Sequence, residues 1–265
     1  ILAEIAVQTV NRAGETRAVH QQGLGNTAIL FAALKSGAVH VYPEYTGTLA
    51  YELLGLKRVP ALEELNRELG KHGLVAAIPL GFANGYALAM LERRAEELGI
   101  DRISDLARHP QLRLAISQEF LNRRDGWPAL WEAYRLPFAD VRGLDHGLAY
   151  EALAGAQVDV IDIYTTDAKI ARYGLRVLRD DLGHFPAYEA VLLARRDLAA
   201  TAPRSWQGLQ GLEGRLTAER MIAMNAAAEL SGATFAGIAR DFLEGRATGD
   251  APTGLQRGSF ASALF

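Results

Sequence analysis

The sequence predicts an α/β fold with largely parallel sheets. Helical patterns alternate with short β-branched runs along the chain, as they do in repeated β-α-β units. The 265 residues are 49% hydrophobic and 22% charged, so the chain can bury a large core as one domain or as two lobes of ordinary size. A helix–strand–helix pattern also occurs twice, which favours two lobes built on a similar plan.

The first copy of this pattern begins with a helix at Thr27–Ser36, which a preceding Asn caps and a following Gly ends. A strand is predicted next, at Val39–Tyr42. The strand leads into a turn in which Thr46 or Thr48 is expected to cap a helix through Leu49–Leu54.

The second copy begins with a helix at Leu148–Leu153 and continues with a strand at Val158–Ile163. Tyr164 then precedes another helix, through Ala171, as Tyr45 follows the strand of the first copy. Ligands of open α/β sheets bind at the carboxyl ends of the strands. The pattern therefore predicts that each lobe directs a tyrosine and a helix N-terminus toward a shared ligand.

The remaining elements are predicted from caps and apolar runs. They are an amphipathic helix from Leu2, a short helix capped by Ser104, a strand at Leu112–Ile116, a helix at Gly126–Tyr134 with Pro128 in its first turn, a strand at Tyr188–Leu193, and helices at Ala218–Ala228 and Ala233–Leu243. Residues 245–258 have the composition of a linker, and residues 260–265 are again apolar.

Composition and charge exclude several classes of protein. The net charge of −3 lacks the basic excess of a nucleic-acid-binding protein. The absence of cysteine excludes disulfides and thiolate chemistry, and no apolar run approaches the ~18 residues of a membrane span. The first helix has no N-cap before it, so we expect the natural chain to begin earlier, with a leader or another segment.

Other binding and catalytic motifs are weak. Gly23–Thr27 resembles a phosphate-binding loop at a helix N-terminus, but it lacks the third glycine of a dinucleotide site and the lysine of a P-loop. The six histidines show no metal-binding spacing, and no nucleophile elbow is present. We therefore expect neither a metal nor a cofactor. An enzyme that uses the Gly23–Thr27 loop remains an alternative.

Four tyrosines lie where secondary-structure elements meet, namely Tyr45, Tyr86, Tyr164 and Tyr188. A single tyrosine at such a junction is usually a packing residue. Four together are what a cage for a cation requires, because the faces of aromatic rings attract diffuse positive charge. A quaternary ammonium has no N–H to donate, so ring faces are its best partners.

At these residues the chain resembles the glycine betaine/choline-type substrate-binding proteins of ABC transporters, which have a two-lobed type II periplasmic-binding fold. The resemblance covers nearly the whole chain and is carried by blocks in a fixed order. These are residues 23–48, 81–90, 119–127, 158–167 and 180–191.

The resemblance implies roles for seven residues. The four tyrosines correspond to the aromatic cage around a trimethylammonium group. Thr48 and Arg123 correspond to the grip on the ligand carboxylate, and Asn84 to a polar contact beside the cation. Arg123 is preferred over Arg124 because it keeps the family spacing Glu-Phe-x-x-Arg-x-Asp-Gly, and it favours zwitterions such as glycine betaine over choline.

The chain also departs from the family in three places. His40 stands where an aspartate is common, and Gly85 stands where a threonine is common. The usual Gly-Ser-Lys strand, whose lysine can assist the carboxylate grip, would lie before Ile1. These departures affect carboxylate affinity more than the cage.

The resemblance further implies a division into lobes and a mode of action. Residues 1–83 and 188–265 would form one lobe and residues 84–187 the other, with hinges near 81–85 and 185–189. The expected function is that of the extracytoplasmic, non-enzymatic binding component of an importer, which presents a small osmolyte to a membrane permease. Choline, carnitine and proline betaine remain alternative ligands, as does an amino acid or another small anion bound by the same fold.

Overall fold

A computed structural model of the protein describes residues 1–138 and 141–246. The strands are β1 (Val41–Tyr45), β2 (Leu74–Ala83), β3 (Tyr86–Leu91), β4 (Leu114–Ser117), β5 (Val141–Leu144), β6 (Val160–Tyr164), β7 (Leu175–Val177) and β8 (Glu189–Arg195). The helices are α1 (Leu2–Ala13), α2 (Thr27–Ser36), α3 (Thr46–Thr48), α4 (Leu62–Gly70), α5 (Glu92–Leu98), α6 (Gln118–Asn122), α7 (Trp127–Tyr134), α8 (His146–Ala154), α9 (Lys169–Tyr173), α10 (Leu198–Thr201), α11 (Pro203–Gln210), α12 (Ala218–Glu229) and α13 (Phe235–Leu243). A π-helical turn at Leu49–Leu53 and a 3₁₀ helix at Ile103–Arg108 complete the described elements.

The strands form two mixed sheets. One has three strands in the order β1-β8-β2, and the other has five in the order β5-β4-β6-β3-β7. The predicted α/β class is therefore confirmed, but the predominance of parallel strands is not observed. Among the described pairs only β4 with β5 and β4 with β6 are parallel. The reason is that β3 and β8 each begin where the chain passes from one sheet to the other. Both strands are antiparallel to their neighbours.

Both sheets are buried on both faces, which explains why their strands read as continuous apolar runs. In the three-stranded sheet, the first part of β2 (Leu74 and Ala76) packs against α2 and α4, whereas its later part (Ile78–Phe82) packs against α1 and α11–α13. The change of face follows a register irregularity between Ala76 and Ile78. In the five-stranded sheet, Leu88 and Met90 of β3 face a cluster that includes Phe120. The small residues Ala87 and Ala89 between them face α8.

The observed ends of several helices agree with the predicted ends more closely than those of the strands do. The helices α2, α7 and α12 begin and end within one residue of their predicted positions, and Asn26 caps α2 by accepting from the Ile29 N–H. The strand predicted at Val39–Tyr42 instead runs from Val41 to Tyr45. The other predicted strands are similarly displaced by one or two residues at their ends.

Three predicted caps are wrong because their hydroxyls bond elsewhere. Thr46 donates to the Ala187 carbonyl at 3.2 Å, and Thr48 accepts from Arg123 at 3.3 Å. Ser104 donates to Asp181 at 2.7 Å, and it lies inside the 3₁₀ helix rather than at its start.

The predicted linker from residue 247 onward and the apolar residues 260–265 lie outside the described residues. Within the described ranges, no helix combines the length and apolar character that crossing a membrane requires.

Candidate functional site

Tyr86 and Tyr164 form the centre of an aromatic cluster. Tyr86 begins β3 and Tyr164 ends β6, and the antiparallel register places them directly opposite each other. Residues in such a pair project from the same face of the sheet. Their ring centroids are 5.0 Å apart and their hydroxyl oxygens 3.4 Å apart.

Tyr188 reaches the same cluster from the residue before β8. Its ring meets Tyr86 edge-on, with centroids 6.0 Å apart. Only 2% of Tyr188 is exposed, and its hydroxyl donates to Asp125 at 2.5 Å. Gly47 lies against the ring so closely that a Cβ there would stand 2.4 Å from two ring carbons. A glycine at position 47 is therefore required to keep Tyr188 in place.

Tyr45 lies at the margin of the cluster. It ends β1, is partly exposed, and packs against the hydrophobic clusters of both sheets. Its aromatic contact is with Phe82, whose ring it meets edge-on at 6.5 Å. The structure thus places Tyr164 and Tyr188 each against Tyr86, with Tyr45 at the margin.

Arg123 is buried within this cluster, with 7% of the residue exposed. Its guanidinium carbon lies 5.3 Å from the centroid of Tyr86. Nε and Nη2 bond the two oxygens of Asp125 at 2.8 and 2.9 Å, and Nη2 also donates to the Thr48 hydroxyl at 3.3 Å. Burial raises the pKa of the Asp125 carboxyl, but the hydrogen bonds and charge of Arg123 outweigh burial, so its pKa lies below the usual value.

Thr48 and Asn84 take different positions in the site. Thr48 is buried and contributes the hydroxyl that meets Arg123. Asn84 lies between β2 and β3, and its side-chain oxygen accepts from the backbone N–H and hydroxyl of Thr166 at 3.2 and 2.9 Å. Its own N–H donates to the Tyr188 carbonyl at 3.0 Å. Asn84 therefore ties together the segments that carry Tyr164 and Tyr188.

Several residues of the site were missed in the sequence. Asp125 stands two positions after Arg123 in the Glu-Phe-x-x-Arg-x-Asp-Gly block, and that spacing was its signal. Glu44 is a charged residue inside β1, 5% exposed, and its carboxylate accepts from the Tyr45 N–H at 2.9 Å. Burial raises the pKa of Glu44 to about 7, against the opposing effects of that N–H and of Arg123.

His146 adds an ionisable group behind Tyr164. The two rings are 4.7 Å apart, and Nε2 of His146 lies 2.8 Å from Asp167. Asp167 also accepts from the Tyr150 hydroxyl at 2.7 Å and from the Tyr164 N–H at 3.0 Å. These contacts fix the backbone and the outer side of Tyr164.

The site carries no feature of a metal centre, since the described residues contain no group of three side chains arranged to bind a metal ion. A surface cavity of about 330 Å³, lined by Arg113, Phe138 and neighbouring residues, includes none of the clustered tyrosines. The predicted Gly23–Thr27 loop is largely exposed and leads into α2. The clustered residues present aromatic rings and one buried guanidinium.

Comparison with known proteins agrees with this geometry. Residues 1–245 match the family described as the substrate binding domain of ABC-type glycine betaine transport system. The chain belongs to this family.

Relatives of the chain are named for different ligands. The chain is 35% identical to a glycine-betaine-binding protein of Pseudomonas aeruginosa, over 92% of this chain and 83% of that protein. It is 32% identical to the ergothioneine transport permease/ergothioneine binding protein of Helicobacter pylori, over 83% of this chain but only 40% of that protein. A crystal structure titled glycine betaine/carnitine/choline ABC transporter aligns with a TM-score of 0.74 at 27% identity, covering 91% of this chain and 92% of that one. The type II fold predicted for this family member is thereby confirmed.

Proposed function

We propose that this family member binds a quaternary-ammonium osmolyte, glycine betaine first among them, and presents it to the permease of an ABC importer outside the cytoplasm. It makes and breaks no bond in its ligand. The observation that carries the proposal is the packing of Tyr164 and Tyr188 against Tyr86, whose ring also meets buried Arg123. The relatives named for glycine betaine and carnitine support the same ligand class.

In this proposal the tyrosines hold the trimethylammonium group. One observation supports this role: the Arg123 guanidinium carbon lies 5.3 Å from the Tyr86 centroid, within the range of a cation–π contact. Each ring face in contact with the ligand contributes roughly 0.5–2 kcal/mol. A primary ammonium in the same position would leave its N–H donors without partners, at a cost of roughly 1–3 kcal/mol. This difference is the basis of selectivity.

The carboxylate of the ligand is assigned to Arg123 and Thr48. Arginine matches two carboxylate oxygens with its planar donors, and the Thr48 hydroxyl lies 3.3 Å from Nη2. Asn84 is assigned a supporting role, since it links the segments of Tyr164 and Tyr188.

Ligand binding would close two lobes, residues 1–83 with 188–265 and residues 84–187. The division is supported by the strands, because β1, β2 and β8 form one sheet and β3–β7 form the other. The proposed hinges near 81–85 and 185–189 are joined by the hydrogen bond from Asn84 to Tyr188. A ligand that touches both lobes stabilises the closed state by its differential affinity.

A second ligand, ergothioneine, is favoured by one observation. The Helicobacter pylori relative named for it is 32% identical to this chain, and ergothioneine also carries a trimethylammonium and a carboxylate. Its ring needs additional aromatic surface, which partly buried His146 offers beside Tyr164, with ring centroids 4.7 Å apart.

Titration calorimetry of the wild-type protein tests the proposal. The panel contains glycine betaine, choline, carnitine, proline betaine and ergothioneine, with glycine as the matched control that lacks the methyl groups. We expect heat with at least one trimethylammonium compound and much weaker binding of glycine. Absence of heat with every trimethylammonium compound would overturn the proposal, and binding of amino acids alone would favour the amino-acid alternative.

A further inference from the structure

The donors of Arg123 are almost fully used within the protein. Arginine has five N–H groups. Asp125 takes the Nε–H and one Nη2–H, and Thr48 takes the other Nη2–H. Glu119 accepts from Nη1 at 3.3 Å. One Nη1–H is left over after these contacts.

These three partners differ in how easily a ligand can displace them from Arg123. Asp125 and Thr48 are buried, with 9% and 4% of each residue exposed. Removing Asp125 from its paired contact would leave a buried charge without a partner, which is strongly unfavourable. The side chain of Glu119 is 53% exposed, so water can replace Arg123 as its partner.

A ligand carboxylate must therefore use the terminal edge of the guanidinium, formed by Nη1 and Nη2. At Nη2 it meets Thr48, whose hydroxyl can turn and donate to it. At Nη1 it meets Glu119, which is a carboxylate itself and repels it. Glu119 and a ligand carboxylate would therefore both lie at Nη1, where their like charges repel each other.

The charge of Glu119 also reaches the aromatic cluster. Burial raises the pKa of the Tyr164 phenol, and the negative charge of Glu119 raises it further. Burial and, to a smaller extent, Glu119 act in the same direction on the pKa of Tyr86. At Tyr86 the positive charge of Arg123 acts in the opposite direction, so the negative charge of Glu119 partly offsets that of Arg123 and favours a cation beside these rings.

We propose that Glu119 sets the preference of the site between quaternary-ammonium ligands that carry a carboxylate and those that do not. It disfavours the carboxylate at Nη1 and favours the cation at the rings. Glycine betaine experiences both effects, whereas choline experiences only the second. This inference rests on the proposed function, because it assigns specificity within the same site.

The test is Glu119→Gln, titrated with glycine betaine and with choline by calorimetry. Glutamine keeps the length of the side chain and an oxygen that accepts from Nη1, so only the charge is removed. For a half-exposed charge we expect the ratio of the choline Kd to the glycine betaine Kd to rise about tenfold. Choline should bind more weakly, whereas the two effects on glycine betaine oppose each other, so the ratio of the two Kd values is the quantity that tests the proposal. Glu132→Gln, on the exposed side of α7, makes the same change in net charge and should leave the ratio unchanged.

The outcomes separate the two proposals. If both ligands bind and Glu119→Gln leaves the ratio of their Kd values unchanged, Glu119 does not set the preference. If Glu132→Gln shifts the ratio equally, a general charge effect replaces the local one and the inference is again overturned. If the wild type binds no trimethylammonium compound at all, the proposed function fails instead.

Discussion

The buried carboxylate of Glu44 makes the stability of this protein depend on pH in a defined direction. Burial raises the pKa of Glu44 to about 7, whereas the value expected for the unfolded chain is 4.5. Between pH 4.5 and 7 the folded state therefore binds more protons than the unfolded state, and its free energy of unfolding falls as the pH rises. Above about pH 7 the full cost of ionising a buried group is present.

Glu44→Gln removes this cost. The difference between a pKa of about 7 and one of 4.5 corresponds to about 3 kcal/mol. Glutamine is neutral at every pH and keeps a carbonyl oxygen for the Tyr45 N–H, which Glu44 binds at 2.9 Å. Relative to the wild type, the variant should therefore gain up to about 3 kcal/mol of stability between about pH 4 and about pH 8.

Urea unfolding followed by circular dichroism, at constant ionic strength across this pH range, measures the gain. Glu63→Gln is the matched control, because the side chain of Glu63 is 90% exposed and its removal should change little with pH. The free energy of unfolding of Glu44→Gln is compared with that of the wild type at both ends of the pH range. If the difference is the same at both ends, ionisation of a buried Glu44 does not destabilise the folded protein, and the reasoning is refuted.

Two further substitutions test the surroundings of the tyrosines. Burial lowers the pKa of His146, but the hydrogen bond to Asp167 and the negative charges of Asp167 and Asp162 together outweigh burial and hold the pKa above 6.5. His146→Gln should therefore lower thermal stability most below pH 6.5, with the deficit shrinking as the pH rises through the folded pKa, and a deficit that grows with pH would contradict this reasoning. Gly47→Ala places a Cβ 2.4 Å from two ring carbons of Tyr188 and should cost about 1–3 kcal/mol in unfolding experiments. Gly85→Ala, whose Cβ would lie 3.6 Å from the same ring, is its control, and equal losses in both would argue against the close packing.

Local signals in the sequence predicted the bounds of α2 but not the extent of β1, and they did not identify α4, α5 or α11. Asn26 and Gly37 define α2 through contacts with their own neighbours, so its bounds follow from the sequence. The predicted strand ends at Tyr42, just before Pro43, but β1 continues through the proline to Tyr45. Proline is tolerated there because β1 is an edge strand with one hydrogen-bonded neighbour, β8. Edge position is a property of the sheet and is not visible locally.

The tyrosines of the candidate site could be predicted from the sequence, but the contacts that join them could not. The positions of the tyrosines at element ends pointed to a cluster, and Tyr86, Tyr164 and Tyr188 do meet. Their contact depends on a strand register between residues 78 positions apart, which no local pattern encodes. The pairing of Arg123 with Asp125 was likewise missed, because the spacing was read for its arginine alone.

The measurement that tests the central claim most directly is the calorimetric affinity of Tyr164→Leu for glycine betaine. Leucine keeps an apolar side chain next to Tyr86 and His146 but has no ring face. Loss of one cation–ring contact predicts roughly tenfold weaker binding. Tyr173→Leu, in which the lost hydroxyl bonds only to exposed Glu151 among the described contacts, should bind as the wild type does. Wild-type affinity in Tyr164→Leu would contradict the claim that this tyrosine cluster holds the cation.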